Sequence, residues 1–172
     1  MIDIQTFFEQ SQGKWFTQRT RYNLAQKKVE NGKAELTVEL LPSDDRAIVE
    51  LYEEASSSFN GSLDPLASAK ISWDSDAEKG SNLLLFLSDP DKHQGRLIQK
   101  RMNSDQSAAI GQFVIAEDEA LTLSTQTLDH RLLKERVWFA HPNLRLRTVW
   151  EENSAGHEGW VMFYSEIRRM NN

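Results

Sequence analysis

The feature of this sequence that most constrains its fold is a series of about ten short strand-like segments, with no long helix between the later ones. Turn-forming residues separate the segments, including ENG at 30–32, DP at 89–90, ED at 117–118 and SAG at 154–156. Strands joined by such short connections pair with their sequence neighbours, which predicts an antiparallel meander. Closing the meander into a barrel removes its exposed edges, so we favour a barrel over a two-sheet sandwich. The segments are KWFTQRTRYNLA, KAELTVELL, AKISWD, NLLLFLS, GRLIQKR, AIGQFVIA, ALTLSTQT, LLKERVWFA, LRLRTVW and GWVMFYSEIRR.

Two other segments show apolar residues at helical spacing. The first runs from Asp3 to Gln12 and is ended by Gly13. The second lies in PSDDRAIVELYEEASSSF, where we predict Ser43 as the N-cap because acidic residues fill the turn that follows it. The serine- and glycine-rich stretch from Ser56 to Pro65 predicts a loop. We therefore expect an all-β protein with an N-terminal helix and one further helix.

Composition narrows the class of protein. The chain has 172 residues, 39% of them hydrophobic and 27% charged, so we expect residues 1–172 to form one domain. No apolar run approaches the roughly 20 residues of a membrane helix. A net charge of −6 argues against broad nucleic-acid binding. The N-terminal residues MIDIQTFFEQ show no secretory or transit signal. These features predict a cytosolic protein that binds neither nucleic acid nor membrane.

Several kinds of catalytic site are disfavoured by the sequence. There is no cysteine, which rules out disulfides, thiolate nucleophiles and cysteine-based metal sites. The four histidines are widely separated and form no pair at metal-ligand spacing. Neither a Gly-x-Ser-x-Gly nucleophile elbow nor a glycine-rich phosphate loop is found. We therefore expect no metal site. The histidines are His93, His130, His141 and His157.

The junction between the first helix and the first strand carries the triplet Gly13-Lys14-Trp15, and the last strand ends with Arg168. This arrangement resembles that of the lipocalins, or calycins, in which the glycine permits a bend and the tryptophan plugs the barrel base. An arginine from the final strand then stacks on the indole. The resemblance implies a closed antiparallel barrel with Trp15 inside.

An inward Trp15 fixes which other side chains face the barrel interior. Because alternate residues of a strand share a face, Arg19 and Arg21 would also point inward, and an inward Arg168 would bring Glu166 with it. For Arg145 and Arg147, in HPNLRLRTVW, patterning alone leaves both faces open. Burying a charge without a partner destabilises a fold by roughly several kcal/mol, so each inward arginine would need an anion beside it.

One glutamate neutralises one arginine, so an interior that held all of these arginines would require further anions. Guanidinium groups pair with carboxylates in a bidentate manner and also stack on flat π-systems. Trp73 and Trp150 are candidates for additional stacking surfaces. An interior of this composition therefore predicts a conjugated ligand that carries carboxylates.

The segments FFEQSQGKWFTQRT, AKISWD, ERVWFAHPNLRLRT and FYSEIRR, in this order, resemble the S-type phycobiliprotein lyases CpcS and CpeS. The resemblance extends from Ile4 to Arg169. It implies a lipocalin-like barrel of about ten strands that binds a linear tetrapyrrole, phycocyanobilin or phycoerythrobilin, without a covalent link. Such a lyase attaches the phycobilin through a thioether to a cysteine of an apo-phycobiliprotein subunit. The phycobilin is then a substrate, and no cofactor is permanently bound.

The resemblance also assigns roles to individual residues. Arg145 and Arg147 are implied to hold the propionates or the ring system, and Glu166 to meet the pyrrole nitrogens and influence bilin protonation. Glu166 and Arg145 are thereby the implied catalytic residues. The expected binding residues are Arg19, Trp73, Arg145, Arg147, Trp150 and Glu166.

Several alternatives stay open at this point. A bilin carrier, or a carrier of another acidic hydrophobic ligand, would show the same strand pattern without catalytic activity. The resemblance implies a homodimer or a heterodimer with a related lyase subunit. Val161 and Phe163 on one face of the last strand, or Met162 and Tyr164 on the other, could serve such an interface. We expect a location in the cyanobacterial cytosol rather than the plastid stroma.

Overall fold

A computed structural model describes residues 1–59, 63–88, 91–126, 131–152 and 159–170. In these ranges ten strands form one closed antiparallel barrel, in which each strand pairs with its sequence neighbours and the last pairs with the first. This confirms the predicted barrel and leaves no sheet edge unpaired. The elements are α1 (Ile4–Ser11), β1 (Gly13–Asn23), β2 (Lys28–Leu40), α2 (Arg46–Ser56), β3 (Asp64–Ser75), β4 (Lys79–Ser88), β5 (Gln94–Arg101), β6 (Ala109–Ile115), β7 (Leu121–Gln126), β8 (Leu132–His141), β9 (Leu144–Glu152) and β10 (Trp160–Arg168).

The first hairpin turn is not where the sequence predicted it. Residues 30–32 lie inside β2, and the turn is formed by residues 24–27, where Lys27 adopts a φ of 53°. Gly32 is instead paired with Arg19 of β1. A Cβ at Gly32 would lie 3.0 Å from the Arg19 guanidinium. The glycine therefore allows a close approach across the hairpin rather than a turn.

Both predicted helices are present. The Asp3 carboxylate caps α1 by accepting a hydrogen bond from the Thr6 amide at 2.8 Å. The N-cap of α2 is Asp45 rather than the predicted Ser43, since the Asp45 carboxylate accepts from the Ala47 amide. A carboxylate also complements the positive end of the helix dipole, which a hydroxyl does less well.

Among the predicted turns, the one at 117–118 is observed, and residues 142–143 form a further turn between β8 and β9. The predicted turns at 89–90 and 154–156 lie outside the described residues, as does the middle of the predicted loop from Ser56 to Pro65. No helix in the described part of the chain has the length and apolar character needed to cross a membrane.

Helix α1 closes one end of the barrel, which we call the base. Its residues Phe7 and Phe8 are buried against Phe139 and Phe86 on the inner face of the sheet. Trp15 is fully buried beside them, and its indole N–H donates to the Ser11 carbonyl at 2.9 Å. The predicted role of Trp15 as an inward-facing plug of the base agrees with this packing.

Arg168 stacks on Trp15 and connects the base to the last strand. Its guanidinium carbon lies 4.2 Å from the centre of the indole ring. The same guanidinium donates hydrogen bonds to the carbonyls of Gln12 and Gln10, both at 2.6 Å. These carbonyls lie at the C-terminal end of α1, where backbone oxygens lack helical partners. One side chain thus ties the last strand to the first helix.

The apolar run Leu83–Leu87 is buried on both faces of β4. Leu84 and Phe86 belong to the core inside the barrel. The alternate leucines of β4 pack outside it, against the apolar face of α2. This double burial explains why β4 is a continuous apolar run instead of an alternating one.

Replacing Arg168 by alanine should lower the free energy of unfolding by about 2 kcal/mol, because it removes a stacked cation and two charge-assisted hydrogen bonds. The neighbouring Arg169 is a matched control, since its guanidinium forms an exposed ion pair with Glu35 whose loss should change the stability much less. Urea denaturation of both alanine variants measures the difference. Equal losses would show that Arg168 does not fasten the base.

Candidate functional site

A cavity of about 640 Å³ occupies the barrel above the apolar base. Its lining extends to residues 75–78 between β3 and β4, at the end of the barrel opposite α1, which we call the rim. Its volume lies within the roughly 300–1,000 Å³ that is usual for small-molecule sites. One wall carries the apolar side chains of Ile71, Leu84 and Leu123 together with the amides of Asn82 and Gln99. The opposite wall, formed by β8, β9, β10 and β1, is charged.

The charged wall centres on Glu166, whose side chain is 0% exposed. Its carboxylate accepts a hydrogen bond from the Arg145 Nε at 2.6 Å. The Arg147 guanidinium lies 3.1 Å from the other carboxylate oxygen, and it also contacts the Glu135 carboxylate at 3.2 Å. Thr17 adds a weak contact, with its hydroxyl 3.5 Å from Glu166. We call Arg145, Arg147, Glu135 and Glu166 the ion cluster.

The strand register brings the ion cluster together. Glu166 is paired with Arg145 on one side and with Thr17 on the other, so all three side chains point the same way. Arg145 is 5% exposed and lies beneath the cavity, next to Trp15. Leu144 and Leu146 alternate with the arginines and therefore take the outer face. The question that patterning left open in HPNLRLRTVW is settled in favour of inward arginines.

Mutual attraction controls the protonation of the ion cluster. Burial alone would raise the pKa of Glu166, but the charges of Arg147 and Arg145 outweigh it and hold the pKa below its ordinary value. Burial alone would lower the pKa of Arg147, but the charges of Glu166 and Glu135 outweigh it and raise the pKa. Arg147 and Glu166 are therefore ionised at neutral pH, and Glu166 acts as a carboxylate rather than as an acid.

Arginine–aromatic stacking continues the charged wall toward the rim. The Arg147 guanidinium lies 3.7 Å from the centre of the Tyr164 ring, and the Arg21 guanidinium lies 3.5 Å from that of Trp160. Stacking of this kind fixes the plane of a guanidinium while leaving its N–H edge free to donate. The wall therefore presents pre-oriented donors to whatever enters the cavity.

Within the described part of the chain, three buried donors on the inner face of the barrel find no hydrogen-bond partner. They are the Nε atoms of Arg19 and Arg21 and the indole Nε1 of Trp73. A buried donor left unsatisfied costs about 1–3 kcal/mol, so native structures contain few of them. Arg19 and Trp73 both line the cavity. Their donors are suited to a ligand that supplies acceptor oxygens.

The structure brings five of the six predicted binding residues together. Arg19, Trp73 and Arg147 line the cavity, while Arg145 and Glu166 form its underlying support. Trp150 is the exception, because it lies three residues after Arg147 and therefore on the opposite, outer face of β9. The prediction of Trp150 as a cavity residue is not supported by this placement.

Glu135 is the member of the ion cluster that the sequence analysis did not identify. It lines the cavity and shares the inner face of β8 with Val137 and Phe139. The signal was available in LLKERVWFA, where an inward Val137 and Phe139 require an inward Glu135. Among the described residues, no group of three or more His, Cys, Asp or Glu side chains is arranged to hold a metal ion.

Replacing Glu166 by glutamine should destabilise the fold by about 3 kcal/mol at neutral pH, because two buried arginines lose their shared anion. Since folding depresses the pKa of Glu166, its contribution is present above its unfolded value of about 4.5 and is lost as the pH falls through the folded pKa. The gap between wild type and E166Q should therefore narrow on acidification. Denaturant unfolding at several pH values measures it, with the exposed Glu50→Gln as control. A gap that does not change with pH would contradict the assignment.

The fold and site together define a class of protein: a closed up-and-down β-barrel whose cavity has a charged wall of arginines and carboxylates. Comparison with known proteins gives the family. The family model described as CpeS-like protein matches residues 3–169. The chain belongs to this CpeS-like family, as the resemblance in the sequence indicated.

Individual relatives agree with this assignment. The chain is 37% identical over 177 residues to "Chromophore lyase CpcS/CpeS" of Thermosynechococcus vestitus, covering 97% of this chain and 93% of that protein. It is 33% identical over 153 residues to "Phycocyanobilin lyase subunit CpcS" of a Picosynechococcus species, covering 85% of this chain and 76% of the relative. The solved structure of the S-type phycobiliprotein lyase CPES from Guillardia theta superimposes with a TM-score of 0.80 at 23% identity. It covers 99% of this chain and 95% of that chain, which shows that the fold is shared.

Proposed function

We propose that this protein is a chromophore lyase that binds a phycobilin without a covalent link and transfers it to a cysteine of an apo-phycobiliprotein subunit. The observation that carries the proposal is a set of unpartnered buried donors around a ligand-sized cavity, in a chain whose relatives are named chromophore and phycocyanobilin lyases. The cyanobacterial relatives favour a location in the cyanobacterial cytosol. Whether it works as a homodimer or with a related subunit stays a prediction.

The charge balance of the cavity wall suits the propionates of a linear tetrapyrrole. Two carboxylates, Glu135 and Glu166, lie among four arginines of this wall, and a third carboxylate on the inner face of β9, Glu151, is paired with Arg131. The wall therefore carries more cations than anions, which suits a ligand with two carboxylates. The two arginines whose Nε atoms have no protein partner, Arg19 and Arg21, are the residues to which we assign the propionates.

The two carboxylates have different roles in this proposal. Glu135 lines the cavity and is placed to accept hydrogen bonds from pyrrole N–H groups, which favours the protonated bilin. Glu166 lies behind Arg147 and holds both arginines of the ion cluster in position. We therefore assign the contact with the pyrrole nitrogens to Glu135, although the sequence analysis expected it of Glu166. Arg145 does not contact the bilin in this proposal; it helps to hold Glu166 in position.

The transfer step needs no nucleophile from this chain, which has no cysteine. The acceptor thiol adds to the ethylidene group of ring A, so that a carbon–sulfur bond forms and the thiol proton passes to the tetrapyrrole. Nothing leaves in such an addition. The lyase contributes by fixing the conformation and accessible face of the bilin, which is an orientation effect.

Replacing Arg19 by alanine should weaken phycocyanobilin binding about tenfold, which corresponds to the loss of one charge-assisted contact. Because the Arg19 Nε has no protein acceptor, the variant should be at least as stable as the wild type. Absorbance titration measures affinity, and thermal melting measures stability. The exposed Arg46→Ala is the control. Unchanged affinity would show that Arg19 does not contact the bilin.

A transfer assay distinguishes a lyase from a carrier. The protein is incubated with phycocyanobilin or phycoerythrobilin and a purified apo-phycobiliprotein subunit, and the acid-denatured product is examined for a thioether-linked bilin. We expect a covalent adduct with the native spectrum that does not form without the protein. Bilin binding without transfer to any subunit would favour the carrier.

A further inference from the structure

Four apolar side chains form a row across the outer surface of the barrel. Val29 of β2 is paired with Tyr22 of β1, Tyr22 with Val161 of β10, and Val161 with Trp150 of β9. Strands are spaced about 4.8 Å apart, so the row is about 15 Å long. Val29 is 54% exposed and Tyr22 is 43% exposed, while Val161 and Trp150 are half-buried. We call these four residues the rim row.

The rim row lies at the open end of the barrel. The pair formed by Tyr22 and Val29 is one position from the end of the β1–β2 hairpin, whose turn adds the exposed Leu24. On the inner face at the same level, Arg21 stacks on Trp160. The row is thus the outer edge of the wall that carries the unpartnered donors. The other end of the barrel is sealed by α1 and Trp15.

We propose that the rim row is the surface on which the acceptor protein docks during transfer, an inference that rests on the proposed lyase function. With the base closed, an acceptor cysteine reaches the cavity only from the rim. Aromatic side chains such as Tyr22 and Trp150 are the residue types that most often supply binding energy in protein interfaces. A small, partly exposed apolar surface is typical of a complex that must dissociate after each turnover.

Charges at the two ends of the rim row indicate which charges the surface of the partner should carry. Lys27 and Lys28 lie beyond Val29 in the hairpin, and Lys134 of β8 is paired with Trp150 at the other end. These cations stand out in a chain whose net charge is −6. The matching surface is an apolar patch flanked by carboxylates.

The same charges disfavour a second copy of this chain as the occupant. In a two-fold symmetric contact, each end of the row would meet the opposite end of its partner. The lysines at the Val29 end would then face Lys134, and like charges brought together in this way oppose association. The acceptor protein is therefore the favoured occupant.

The test compares three single substitutions at exposed positions. Val29→Glu and Tyr22→Glu place a carboxylate in the rim row. Ile167→Glu is a matched control, because Ile167 is also 54% exposed on the outer wall but pairs with Phe16 and Leu144 near the base. Each variant is titrated with phycocyanobilin alone and then assayed for transfer to recombinant apo-phycobiliprotein subunits over a range of subunit concentrations.

We expect V29E and Y22E to bind phycocyanobilin within twofold of the wild type. The acceptor concentration that gives half-maximal transfer should rise at least tenfold in both variants, while I167E behaves as the wild type. Acceptor dependence unchanged in V29E and Y22E would overturn the docking surface. If light scattering showed that V29E changes from a dimer to a monomer while its dependence on acceptor concentration stays unchanged, the docking surface would also be overturned. Bilin binding by the wild type without transfer to any subunit would instead overturn the lyase function and the docking surface with it.

Discussion

The buried carboxylate of Glu166 is the interaction on which the charged half of this barrel depends. Arg145 and Arg147 lie on adjacent inward positions of β9. Without Glu166, Arg145 would be an uncompensated charge in a low-dielectric interior, and Arg147 would keep only Glu135. Glu166 reaches both because β10 is paired with β9 in a register that sets it directly opposite Arg145. The charge of the cavity wall therefore depends on the register between β9 and β10. A slip of one residue in either strand would turn its charged groups to the outer face and leave those of the other strand without their partner.

The apolar base makes this charged interior tolerable. Helix α1, Trp15 and the phenylalanines around them bury a large apolar surface below the cavity, and each such side chain contributes about 1.5–3 kcal/mol. The guanidinium carbons of Arg168 and Arg145 lie 4.2 and 4.9 Å from the centre of the Trp15 ring. Trp15 therefore contacts both the arginine that fastens the base and the ion cluster. The barrel is stabilised at one end and specialised for binding at the other.

The sequence predicted those features that depend on local patterns, such as strand alternation, better than those that depend on the register between strands. The strand series and the Gly13-Lys14-Trp15 junction were enough to predict the barrel, and strand alternation from Trp15 then placed Arg19 and Glu166 inside. The first turn was mistaken because Gly32 suits both a hairpin turn and a close approach to Arg19, and only the register distinguishes them. Trp150 was assigned to the interior by residue type, although its odd spacing from Arg147 requires the outer face. Alternation, applied consistently, was the better guide in both β8 and β9.

The two walls of the cavity explain how a flat ligand would be oriented in it. Cations and their stacked aromatic rings occupy β9, β10 and β1, whereas Ile71, Leu84 and Leu123 face them from β3, β4 and β7. A molecule with carboxylates along one edge binds such a site in one direction only, because the reverse orientation would place its charges against apolar side chains. The side chains of Trp73, Asn82 and Gln99 also line this side of the cavity, so it offers polar contacts as well as apolar ones. The asymmetry of the walls therefore favours one orientation of a flat acidic ligand, and a fixed orientation is what the proposed transfer would require.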